Sequence, residues 1–80
     1  MSIDDAVKIM QSKISAASIG AQMKVVKMSE EEARITVLAP VGDIQAIKDA
    51  TFMPAMDFLN NDGFDIQVQV YDKDAPPLSA

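Results

Sequence analysis

Asp57, Asn60, Asn61, Asp62 and Asp65 crowd around Gly63, and oxygen-bearing side chains at that density are the raw material of a calcium loop. In the helix–loop–helix calcium motif the glycine stands at position 6. That places Phe58 at position 1 and Gln69 at position 12, where carboxylates belong. The motif fails, and the same residues are accounted for by a helix end followed by a turn. Nucleophilic catalysis finds no support either. The chain has no histidine and no cysteine, so its serines lack the base that a Ser-His-Asp arrangement requires. Imidazole and thiolate metal ligands are missing for the same reason. Gly20, Gly42 and Gly63 are isolated, whereas phosphate-cradling loops need glycines in clusters. The expectation is therefore no catalytic residue, no bound metal and no cofactor.

Binding chemistry is more visible. Phe52-Met53-Pro54-Ala55-Met56-Asp57-Phe58-Leu59 is the most unusual composition in the chain. Phe52, Met53, Met56, Phe58 and Leu59 spread around more than half of a helical wheel, so one buried face cannot hold all five. A break at Pro54 would let two pieces pack inward, with methionines filling gaps. That core reading is the preferred one for the segment, since a small domain needs its apolar residues inside. The alternative is an exposed Met/Phe patch for a partner, with some of Phe52, Met53 and Met56 at the surface. Tyr71 joins these three as a candidate partner-binding residue.

The elements that would carry these residues are arranged around Phe64 to Tyr71. There Phe64, Ile66, Val68 and Val70 alternate with Asp65, Gln67, Gln69 and Tyr71, the period of a strand wet on one side. Upstream, Ile3, Val7, Met10, Ile14 and Ala17 recur at helical spacing. Ser2 and Asp5 form an acidic capping box, Asp4 is placed to pair with Lys8, and Gly20 is expected to terminate the helix near Ser18. Gln22 to Met28 and Ala33 to Ala39 flank the acidic link Ser29-Glu30-Glu31-Glu32 and predict an antiparallel hairpin. The glutamates are read as a solvated turn that discourages edge pairing. Pro40 ends the second strand, Asp43 is the expected N-cap of a second helix, and Pro54 is expected to kink or split that helix, with Thr51 capping the second piece.

The predicted fold is α+β, a two-layer sandwich in the order helix, strand, strand, broken helix, strand. A three-stranded mixed sheet carries both helices on one face, with Ile35, Val37, Ile66 and Val68 toward them. The other face would hold Lys24, Val26, Met28, Arg34, Thr36, Leu38, Gln67, Gln69 and Tyr71, a mixture found at interfaces, although a plain solvated face explains it equally. Residues 1–72 form one domain and 73–80 a loose tail.

Bulk properties narrow the function classes. Eighty residues with 49% apolar content suit a single small globular core. A net charge of −5 disfavours a phosphate-backbone binder. The acidic N-terminus has no cationic segment leading into an apolar run, and no stretch is long enough to span a bilayer, so a cytoplasmic protein without membrane contact is expected.

The order of elements is similar to that of the iron–sulfur cluster assembly domain, as in NifU-type C-terminal scaffold modules. Ile19-Gly20 precedes the first strand, Met23-Lys24-Val25-Val26 resembles the family's opening strand, and Arg34-Ile35-Thr36-Val37-Leu38 its second. Ala39-Pro40-Val41-Gly42 falls where the family carries its cysteine motif. Cluster ligation does not carry over without those cysteines. The resemblance covers about residues 3 to 71 and implies a scaffold-like fold with an accessory or assembly role. The layout also resembles the type II KH fold, but Thr51-Phe52-Met53-Pro54 replaces its Gly-x-x-Gly loop.

Three readings follow in order: a non-enzymatic module that binds itself or a partner protein, a cysteine-less relative of the scaffold domain, and a KH-like nucleic-acid binder. Because the chain lacks soft ligands and calcium-loop spacing, EDTA should leave its thermal midpoint unchanged. A drop of several degrees on chelation would reveal a site, with Asn60 to Asp65 the place to look.

Overall fold

The computed structural model describes residues 1–74. Helix α1 (Ile3–Ala17) leads into strands β1 (Gln22–Lys27) and β2 (Glu32–Ala39). A 3-10 turn at Val41–Asp43 then opens helix α2 (Ile44–Asp62), and strand β3 (Asp65–Asp72) completes the element order. The fold is α+β, with two helices packed against a three-stranded mixed sheet of order β1-β2-β3. β2 is central, antiparallel to β1 and parallel to β3. A parallel neighbour cannot be reached by a hairpin, so the chain must cross over the sheet, and α2 is that crossover.

The strand periodicity is realised in side-chain burial. Ala33, Ile35, Val37 and Ala39 of β2 are fully buried, as is nearly all of Ile66 on β3. Ile3, Ala6, Val7, Met10 and Ile14 of α1, with Ile47 and Phe58 of α2 and Phe64 just before β3, complete the core. Gln67 and Gln69 lie on the opposite face, partly exposed. Val68, expected to be buried with Ile66, is only partly covered. It sits on the outermost strand beside an open hollow under α2.

Helix termini differ from expectation in informative ways. The Ser2–Asp5 capping box forms as the sequence implies, and the Ser2 amide, then its hydroxyl, hold the Asp5 carboxyl below its ordinary value of 3.8. That stabilisation is complete above the unfolded carboxylate's pKa and fades as acid takes the pH down through the lowered one. Asp4 meets Lys27 of β1 (3.5 Å), so its cross-element partner replaces the expected Lys8. α1 ends at Ala17 with extended Ser18 as its cap, and Gly20 does not adopt the left-handed conformation. The hydroxyl of buried Ser18 needs an acceptor, and Asp43 supplies it at 2.8 Å. Asp43 therefore ties the end of α1 to the start of α2 and makes no side-chain cap to its own helix.

Pro54 stands inside α2, which runs as one helix of 19 residues. The expected split does not occur, and Thr51 is no cap. Its buried hydroxyl donates to the Ile47 carbonyl at 2.8 Å. A mid-helix proline costs about 3 kcal/mol. Buried side chains on both sides of it, Ile47 and Thr51 before and Phe58 after, hold the two halves against one core.

Gly63 closes α2 in the left-handed conformation at φ 72°. Its amide and that of Phe64 reach back to carbonyls of the last helical turns, and Asp65 enters β3 by donating to Glu31 (2.8 Å). The Asn60–Asp65 group is thus the helix end and strand entry. At the hairpin, the amides of Met28 and Ser29 both donate to the Glu32 carbonyl. β1 ends at Lys27, one residue before the expected Met28, and Glu32 already belongs to β2. The Lys73 amide still bonds to Ala39 (3.0 Å), which extends the ordered chain into the expected tail. Residues 75–80 of that tail lie outside the described residues. No helix among the described residues is long and apolar enough to cross a membrane.

Truncating Ile66 to Ala removes a core side chain from the β3–α2 junction. Urea denaturation should register a loss of about 2–5 kcal/mol. A loss below about 1 kcal/mol, the scale of an ordinary surface change, would contradict this packing.

Candidate protein-interaction surface

α2 carries two unlike faces. Ile47, Thr51 and Phe58, with Ala55 partly covered, follow helical spacing and turn to the core. Phe52, Met56 and Leu59 recur at steps of four and three residues and form a ridge on a different side. Phe52 is 64% exposed, Met56 41% and Leu59 47%; Met53, three residues before Met56 and further round the helix, is 61% exposed. Of the five large apolar residues in the segment, only Phe58 is buried. The core thus takes one of them, and the preferred core reading of the segment gives way to a surface one. Phe58 points inward because the helix places it seven residues after Thr51, on the same stripe.

Between the ridge and β3 lies an open hollow lined by Lys48, Thr51, Phe52, Ala55 and Val68. Its walls are mainly apolar, and Lys48 is the one charged residue in its lining. A hollow of that kind can bury a hydrophobic side chain while the lysine meets a carbonyl or carboxylate.

Tyr71 is elsewhere. Register places it in a row with Leu38 and Gln22 on the sheet face turned away from the helices. It is 44% exposed, and its hydroxyl donates to Gln69 Oε1 at 3.3 Å. The four sequence-nominated residues therefore do not form one site. Phe52, Met53 and Met56 share α2, whereas Tyr71 belongs to the outer sheet face. There Val26, Arg34 and Gln67 form the next row but one, and the Gln67 amide leans toward Glu32 (3.4 Å).

Sequence reasoning left out Leu59 and Lys48. Leu59 could have been found from its spacing, three residues after Met56 and seven after Phe52. Lys48 and Val68 join the surface only because α2 lies across β3, which no local pattern encodes. Among the described residues, no group of three acidic side chains gathers closely enough to hold a metal ion. No family model, curated protein or solved structure matches this chain, so the functional reading rests on this surface and fold.

The face assignment has a direct test in thermal unfolding. Met53→Gln with Met56→Gln should shift the midpoint little, because neither amide is taken out of water. Phe58→Ala, on the buried stripe, should cost about 3–5 kcal/mol. Comparable losses in the two variants would refute the division of α2 into these faces.

Proposed function

We propose that this chain is a small non-enzymatic protein-interaction module whose contact surface is the Phe52–Met56–Leu59 ridge of α2, with Met53 beside it. One observation carries the reading. A domain with a small core, in which every large side chain has value inside, leaves an aromatic and two methionines in the solvent along one helix. Exposed apolar surface in a contiguous patch marks contact sites, and methionine adapts to an irregular partner surface at modest cost. The net charge of −5 and the neutral, apolar character of the ridge favour protein over nucleic acid as the partner.

A second reading is a cysteine-less relative of the iron–sulfur scaffold domain acting as an accessory factor. Its support is the element order, together with Ala39-Pro40-Val41-Gly42 at the passage from β2 to α2, where that family carries its cysteines. On this reading too the chain works by contact with another protein.

Phe52→Gln combined with Met56→Gln is the decisive variant. It should retain the wild-type thermal midpoint and lose self-association in sedimentation, or lose partner capture from host extract. Unchanged association and capture in a folded double variant would remove the ridge from consideration.

A further inference from the structure

We infer that the partner is a second copy of this chain, joined through antiparallel pairing of β3 with its symmetry mate, Val68 lying on the two-fold axis. This rests on the reading above that the chain works by protein contact. It adds a backbone interface next to the α2 ridge.

The hydrogen-bonding groups of β3 are the starting point. The amides of Asp65 and Lys73 donate to Glu31 and Ala39, the flanking rungs of the β2 ladder. In a parallel ladder alternate residues bond to the same neighbour, so residues 65, 67, 69, 71 and 73 face β2. The amides and carbonyls of Ile66, Val68 and Val70 then point outward from the last strand of the sheet. That edge is a template for another strand.

The sheet's two edges are unequally guarded. β1 carries Lys24 and Lys27 within six residues, and Lys27 is held by Asp4 and Glu30. Charged side chains, lysine above all, are how proteins keep edges unpaired. From Ile66 to Tyr71, β3 has no charged residue and no proline. Edge protection is thus present on β1 and, between the terminal Asp65 and Asp72, missing on β3.

Self-pairing is consistent in register and charge. Two-fold antiparallel pairing centred on Val68 sets Val68 opposite Val68, Ile66 opposite Val70 and Gln67 opposite Gln69. The outward groups of the three apolar residues then bond to each other in closely spaced pairs, and the glutamine amides face across the outer side of the sheet. No like charges meet within that stretch. The partner's Val68 also arrives beside the hollow lined by Val68, Ala55 and Phe52, which lets the exposed Phe52 rings flank the axis. Such an isologous contact closes on itself at two copies and joins two three-stranded sheets into one of six strands.

Charge variants at positions 67 and 69 test the register while sparing the core, since both side chains lie on the outer face. Sedimentation equilibrium at low ionic strength would compare wild type, Gln67→Lys/Gln69→Lys, and Gln67→Lys/Gln69→Glu, each confirmed folded by circular dichroism. The wild type should dimerise. Like charges directly opposite should raise its dissociation constant about tenfold or more, whereas opposite charges should keep it within about threefold of wild type. A monomeric wild type, equal dimerisation in both variants, or loss in both overturns the β3 pairing. The Phe52→Gln/Met56→Gln variant separates the two readings. A dimer that ignores the charge variants and falls with that substitution keeps the ridge and refutes the strand pairing. A dimer that obeys the charge variants and ignores it does the opposite.

Discussion

Pairing of β2 with β3 in the parallel sense is the constraint on which the other features of this fold depend. A parallel pair needs a crossover, and the crossover has to cover the apolar side of the strands it joins. Ala33, Ile35, Val37 and Ala39 have no exposure at all because α2 and α1 share that side of the sheet. α1 is held in place partly by its own apolar stripe and partly by Ser18, whose buried hydroxyl meets Asp43 where the crossover begins. The junction after β2 thus fixes both helices at once.

The same constraint explains why α2 is continuous despite Pro54 and why it is two-faced. A helix that must reach from the end of β2 back to the start of β3 needs its full length. Side chains on both sides of the proline are anchored in the core, so tertiary packing outweighs the local preference to break. A single continuous helix over a narrow sheet offers one stripe to the core. Packing two pieces at different angles, which could have buried more of Phe52, Met53 and Met56, is thereby lost. The exposed ridge is a geometric consequence of keeping the helix whole.

A three-stranded sheet also has two edges for one centre, and here they differ in kind. β1 pairs with β2, carries lysines, and turns most of its residues to solvent. β3 is packed under α2, is neutral over most of its length, and lies next to the apolar ridge. Backbone groups seeking partners and side chains seeking cover therefore occur on the same flank of the molecule. Their juxtaposition is the reason the proposed contact surface is placed on that flank and not on the outer sheet face bearing Tyr71.

The sequence by itself determined the elements and their inward faces. Period-two alternation from Phe64 to Tyr71 placed Ile66 inside and Gln67 outside, because a pleated strand leaves no other option. Ser2 and Asp5 named the first helix start, since those side chains satisfy amides only one turn away. Features whose causes lie within a few residues were legible in this way. Long-range competition decided the rest. Pro54 looked like a break because the packing that overrides it comes from α1 and β3. Asp43 looked like a cap because its competitor, Ser18, is 25 residues distant. Gly20 looked like a terminator because nothing local shows that the chain leaves α1 in extended form. Composition showed that Phe52 to Leu59 held more apolar side chains than one stripe could bury. Only the position of α2 across β3 decided that Phe58 is the one taken inside, and that Val68, read as buried alongside Ile66, stands at an open edge.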